Sequence, residues 1–172
     1  MSEKLIFDTS AILNCGKRGE CEFLLERLGE GRALFTTPEV EWELCDPENE
    51  AHYRKLLKKR FKVQGAKDVK LDMAVLQHLT ALLGSGELSV ILLAMELRAM
   101  VVLDDRVART QAVGLKLRVV GTLGLLADGL RRKWCTDDEC LEIVRRLHDR
   151  RFYIRAPGAN ETFVEYFASF GD

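Results

Sequence analysis

Seven acidic side chains occupy positions where they could act together: Asp8, Glu39, Glu41, Glu43, Glu87, Asp104 and Asp105. Asp8 ends the apolar run Leu5-Ile6-Phe7, and Asp104-Asp105 ends the run Val101-Val102-Leu103. Runs of this kind read as strands buried on both faces. A buried strand that ends in a carboxylate puts that charge at the carboxyl edge of a sheet, where open α/β folds form their sites. Parallel strands share that edge, so Asp8 and Asp104-Asp105 converge if their strands are neighbours. Clustered carboxylates repel one another and are costly to desolvate. A hard divalent cation bound through oxygens, Mg²⁺ or Mn²⁺, relieves both costs. Such a centre suits phosphoryl chemistry, because the cation polarises a phosphate oxygen and makes its bound water a better nucleophile.

Each acid alone has a plainer use. An aspartate at a strand–helix junction commonly caps the helix. Glu87, in a first helical turn, answers the helix dipole. Glu39, Glu41 and Glu43 can form a solvated face. With Val40 and Leu44 inward, Glu41 and Glu43 flank the apolar stripe equally, so periodicity does not choose between them. The coincidence of all these acids at one edge carries the functional reading.

The elements that must position these acids follow in order. Thr9 or Ser10 can cap a short helix after Asp8, and Gly16 and Gly19 break the pattern. Glu22 to Leu28 reads as a helix with Phe23, Leu24 and Leu28 inward, closed by Gly29 and Gly31. Ala33 to Thr36 is a second buried strand. Thr37-Pro38 starts a helix, and Asp46-Pro47 stops it. Residues 49–60 form an amphipathic helix with a basic face of Arg54, Lys55, Lys58, Lys59 and Arg60, and 61–64 is a short strand or a linker. Asp68 can cap a helix with Leu71, Val75, Leu79, Leu82 and Leu83 at helical spacing, which Gly84-Ser85-Gly86 ends. Glu87 to Met100 is apolar nearly all round and reads as a buried helix, in which Leu92, Met95 and Met100 belong to core packing. A third strand, Val101–Leu103, is followed by a helix that Gly114 stops. Leu117–Val120 is a fourth strand, and Thr122 caps a helix ending in Arg131-Arg132-Lys133. Thr136 to Glu139 is a capping box for a helix to about Arg150. Phe152-Tyr153-Ile154 reads as a last short strand or an extended segment, and Asn160 begins a terminal helix with an apolar stripe of Phe163, Val164, Phe167 and Phe170. Short strands alternating with helices give an α/β domain, a mostly parallel sheet between helical layers.

The 172 residues suit one domain with a buried core, at 47% apolar and 31% charged residues. The net charge of −1 supplies no global positive field, so nucleic acid would be held by local basic clusters. No apolar run reaches the length of a membrane span, and no signal-peptide core opens the chain, so a cytoplasmic location is expected. The five scattered cysteines form no C-x-x-C pair, which points away from a zinc or disulfide framework. His52, His78 and His148 lack ligand spacing.

Four segments together resemble the PIN domain, the nuclease fold of VapC-type toxins. Asp8-Thr9-Ser10 matches the family's opening D-T-S/N. Thr37 to Leu44 is similar to its second segment, where the acid precedes a leucine, which favours Glu43. Gly86-Glu87 resembles the third acid with its buried helix, with Glu where many relatives have Asp. Val101 to Arg106 resembles the fourth, with Asp105 in the usual place; Gly86 to Leu126 looks like the subfamily with G-E and D-D-R motifs. The resemblance covers residues 4–155 and implies a three-layer α/β/α domain over 1–156. The aromatic helix in 157–172 lies outside it and packs on the domain or at a partner interface. It also implies a metal-dependent endoribonuclease leaving a 3′-hydroxyl and a 5′-phosphate, expected as a toxin with an antitoxin protein and as a homodimer. Asp8, Glu87 and Asp105 would hold Mg²⁺ or Mn²⁺, with Glu43 assisting and Asp104 as a further ligand or water-orienting group. Ser10 would position water or a carboxylate, and Arg106 and Arg109 would hold RNA phosphates. The basic segment with Lys58 and Lys59 is a second RNA track.

Two other folds with clustered aspartates fit poorly. A receiver domain wants its acidic pair after the first strand and a late lysine, where this chain has Val119 to Thr122. A haloacid-dehalogenase-type phosphatase wants an aspartate where Ser10 stands. The rival of another class is a PIN-like fold kept as a non-catalytic RNA-binding or assembly module.

Overall fold

Leu5, Ile6 and Phe7 are at most 1% exposed, and they form the strand at the centre of the sheet. The computed structural model describes residues 3–45 and 50–170. Its first half comprises β1 (Glu3–Phe7), α1 (Thr9–Leu13), a π-helical turn (Asn14–Arg18), α2 (Glu22–Gly29), β2 (Arg32–Thr36), α3 (Pro38–Leu44) and α4 (Glu50–Arg60). Then follow β3 (Lys62–Val63), α5 (Met73–Leu82), α6 (Ser85–Leu97), β4 (Met100–Val102) and α7 (Arg106–Gly114). The chain goes on through β5 (Arg118–Val120), α8 (Thr122–Arg131), α9 (Asp137–Asp149) and α10 (Phe163–Ala168). The five strands form one parallel sheet in the order β3-β2-β1-β4-β5, the middle layer of an α/β/α sandwich.

Register decides where the acids go. Ile6 lies opposite Phe35 of β2 and Val101 of β4, and Phe7 lies opposite Val102. β1 and β4 are therefore direct neighbours and end at the same level. The Asp8 N–H continues the ladder by donating to the Val102 carbonyl at 3.2 Å. Burial of the three apolar β1 side chains contributes about 1.5–3 kcal/mol each, so the strand cannot slip without exposing them.

Several helix boundaries differ from the sequence reading, and most moved because a side chain outcompeted the expected cap. Asp8 itself, not Thr9 or Ser10, caps α1. The helical pattern breaks at Gly16 as expected, where a non-helical backbone (φ −81°, ψ −123°) kinks the π-helical turn, and Gly19 is that turn's C-cap. Gly29 is the last residue of α2, inside the helix, and Glu30 is its C-cap. In α2 the buried residues are Leu24, Leu25 and Leu28, with Phe23 half-buried. Asp72 rather than Asp68 caps α5; only Leu79 of that helix is buried, while Val75 and Leu82 are exposed. Gly84-Ser85-Gly86 opens α6 instead of closing α5, because the Glu87 side chain folds back to cap it. α6 ends at Leu97, leaving Met100 to β4, and Leu92 and Met95 are only half-buried. Gly114 stays helical, and the turn follows at Lys116, which takes a left-handed φ of 61°. Gly121, not Thr122, is the N-cap of α8. Residues 61–64 contain a short strand, β3, whereas 152–154 form bends and no strand. The expected stop at Asp46-Pro47 lies outside the described residues.

The capping box at Thr136 opens α9 as expected. A second one, Thr162 with Glu165, opens α10 later than Asn160. The buried pair of α10 is Phe163 and Tyr166, with Val164, Phe167 and Phe170 exposed. α10 packs on α8 and α9, and the Phe163 N–H donates to the Asp137 carboxylate at the start of α9 at 3.0 Å. Phe163→Ala should therefore cost about 3–5 kcal/mol in chemical denaturation, whereas Phe170→Ala should cost under 1 kcal/mol or so. No helix among the described residues is long and apolar enough to cross a membrane.

Candidate active site

The β1–α1 junction places Asp8 at the carboxyl edge of the sheet, 2% exposed. Its Oδ1 accepts from the Ala11 N–H at 2.7 Å. Burial pushes its carboxyl well above the usual carboxylate range, and the Asp104 charge adds to this. The Ala11 N–H pulls the other way, and Glu87 and Glu43 push further upward. Three other acids thus act on Asp8.

Asp104 and Asp105 are adjacent in sequence but differ in environment. Asp104 is half-buried and accepts three bonds: from the Thr122 N–H at 2.7 Å, the Thr122 hydroxyl at 2.6 Å and the Asn14 amide at 2.9 Å. Gly121 permits this. A Cβ there would lie 2.9 Å from Asp104 Oδ1 and 2.7 Å from Arg109 Nη1, so any side chain would have to displace them. Asp105 is exposed and caps α7, its Oδ1 accepting from the Ala108 N–H at 2.8 Å.

Glu87 reaches back to the Gly84 N–H at 3.0 Å. Its carboxyl is raised, chiefly by burial and against the pull of that N–H, with Asp105 and Glu43 as the neighbouring charges. Glu43 completes the set. It accepts from the Thr9 hydroxyl, from the Ser85 hydroxyl at 3.1 Å and from the Gly86 N–H at 2.9 Å. Glu41, which periodicity left level with Glu43, instead lies in the field of Arg54.

The structure thus brings Asp8, Glu43, Glu87, Asp104 and Asp105 into one electrostatic cluster supplied by β1–α1, α3, α6 and β4–α7. Other candidates fall elsewhere. Ser10 makes no side-chain hydrogen bond to a described carboxylate; its neighbour Thr9 does. Arg106 is exposed beside Asp105. Arg109 donates to the Leu103 carbonyl at 3.1 Å and so braces the turn that carries Asp104. Lys58 and Lys59 are exposed on α4, which packs on α2, α3 and β3. His52 pairs with Glu22 at 2.9 Å, His148 lies 2.8 Å from the Ile154 carbonyl, and His78 is exposed.

Sequence reasoning missed Asn14. It is fully buried, it bonds Asp104, and Arg18 donates to its amide oxygen at 3.5 Å. The signal was an amide closing the apolar stretch Ala11-Ile12-Leu13, six residues after Asp8. π-helical turns are frequent at functional sites, and this one carries Asn14 under Asp104.

The donor set is all oxygen, which fits Mg²⁺ or Mn²⁺ and not a soft metal. Among the described residues, no group of three or more Asp, Glu, His or Cys side chains stands close enough together to hold a metal ion as they are placed.

Three comparisons place the chain among known proteins. The family model described as DUF3368, a PIN domain, matches residues 4–165. A solved PilT N-terminus domain protein from the hyperthermophilic archaeon Sulfolobus solfataricus P2 is similar at 18% identity and a TM-score of 0.51. The match covers 74% of this chain and 93% of that one, and at this identity it shows a shared fold. No curated protein matches the chain.

Proposed function

Since this chain belongs to the PIN-domain family, whose members commonly act as nucleases, we propose that it is a Mg²⁺- or Mn²⁺-dependent endoribonuclease. The observation that carries the reading is Asp8, 2% exposed and in the field of three further acids, Asp104, Glu87 and Glu43. Asp8, Glu87 and Asp105 would hold the cation. When bound, it would polarise a phosphate oxygen and acidify its water.

The protein's own groups do the rest. Glu43, fixed by Thr9, Ser85 and Gly86, lies beside Glu87 and accepts the proton of the attacking water. Asp104 is committed to Thr122 and Asn14, so it orients water and sets the field instead of moving. Arg106, at the exposed mouth, holds a phosphate. Attack forms one P–O bond and breaks the P–O3′ bond, and the departing O3′ takes a proton from solvent water, leaving a 5′-phosphate and a 3′-hydroxyl. The physiological role we propose is that of a toxin held by an antitoxin protein, in a homodimer; the motif resemblance supports it.

Incubating the protein with a labelled single-stranded RNA in Mn²⁺, Mg²⁺ or EDTA tests the activity. Cleavage with either metal, abolished by EDTA and by Asp105→Asn, supports the reading. RNA binding without cleavage under any metal would favour the non-catalytic module instead.

A further inference from the structure

Beside the acidic cleft lies a recess of about 440 Å³ lined by Lys17, Arg18, Glu20 and Arg150. Three of its four lining side chains are cationic. We propose that this recess is a phosphate subsite for the RNA strand leaving the cleft, binding a phosphodiester of single-stranded RNA. The inference rests on the reading of the cleft as an RNA-cutting site and adds the direction in which the strand runs.

Two observations place the recess on the substrate's path. Arg18 donates to Asn14, and Asn14 donates to Asp104, so the guanidinium is two hydrogen bonds from a cleft carboxylate. The recess is also built and not merely a set of surface cations. Arg150 Nη1 donates to the Arg18 carbonyl at 3.0 Å, and its Nη2 pairs with Glu20. Arg146 Nε donates to the Gly19 carbonyl at 3.0 Å. The end of α9 thereby clips the chain that follows the π-helical turn and fixes where Lys17 and Arg18 stand. An acidic cleft repels the RNA backbone, so a strand must be attracted beside it. Among the described residues, no such bonded route links Lys58 and Lys59 on α4 to the acids.

Glu20 makes the idea testable by a gain. It offsets Arg150 in the empty recess, and a phosphate would compete with it for that guanidinium. Binding of a fluorescent single-stranded RNA is measured by anisotropy in EDTA, where no cleavage occurs, across a range of KCl. Lys17→Ala should weaken binding about 5–10-fold and reduce the salt slope by about 0.7, the value of one single-strand phosphate contact. Glu20→Gln should tighten binding about threefold, a change that misfolding cannot mimic. Wild-type affinity and slope in both variants would overturn the subsite, and so would an effect confined to a glutamate-rich control peptide. Cleavage in Mn²⁺ is scored separately on the wild type. Cleavage with unchanged binding in the variants refutes the subsite and leaves the nuclease reading intact. Altered binding without wild-type cleavage supports the subsite and refutes the nuclease reading.

Discussion

Replacing Asp8 with asparagine should abolish RNA cleavage and, in the same protein, raise the melting temperature of the metal-free form. The two effects share one cause. Asp8 is 2% exposed and sits among Asp104, Glu87 and Glu43, so its charge is costly unless a cation is present. Asparagine keeps the acceptor for the Ala11 N–H and still caps α1, but carries no charge. Cleavage should fall by at least about 10²–10³-fold, the scale of losing one charge contact in a transition state. Stability in EDTA should rise by about 1–3 kcal/mol, which is about 2–4 °C per kcal/mol for a chain of this size.

The pH dependence follows from the same shift. Asp8 and Glu87 both have raised carboxyl pKa values in the fold. The unfolded chain therefore ionises first as pH rises. The stability that these groups contribute is present below the ordinary carboxylate range and is lost as pH rises toward the folded values. Metal-free wild type should lose stability over that window, and Asp8→Asn should flatten most of the loss. Melting curves in EDTA and in Mn²⁺ check both, since Mn²⁺ should stabilise the wild type and leave the variant nearly unchanged.

Gly86→Ala should separate folding from activity in the opposite way. Gly86 lies in the first turn of α6, and alanine there is worth up to about 1 kcal/mol in helix propensity. A Cβ at this position would, however, lie 2.5 and 2.7 Å from the two Glu43 oxygens. The carboxylate must leave the Gly86 N–H and the Ser85 hydroxyl. The variant should therefore fold, by circular dichroism and thermal melting, yet cleave RNA about 10²-fold more slowly. Wild-type cleavage in Gly86→Ala would remove Glu43 from the machinery.

The parallel sheet was legible in the sequence because its strands are short apolar runs with few rival readings, and β1 and β4 carry their acids directly at the ends. Asp8, Asp104 and Asp105 could be placed for that reason alone. Glu43 could not be separated from Glu41 by periodicity, because both flank the stripe of Val40 and Leu44; the contact with Gly86 that decides it lies 43 residues away. Helix starts failed where another acid did the capping, Asp72 for α5 and the Glu87 side chain for α6, whereas a cap by Asp8 was among the plainer uses the sequence offered. The terminal stripe failed for a related reason: α10 begins at Thr162, and its inward face is Phe163 with Tyr166, a spacing of three. Asn14 was missed because its partner is 90 residues distant; Gly16 and Gly19 marked the irregular turn but not which side chain it would carry to Asp104.

Crystals of the protein soaked in Mn²⁺ and measured at the manganese absorption edge test the account most directly. The anomalous peak should lie at the carboxyl edge of β1 and β4, within direct or water-bridged reach of Asp8, Glu87 and Asp105. A protein saturated with Mn²⁺ that shows no peak there, or shows one only elsewhere on its surface, would contradict the account.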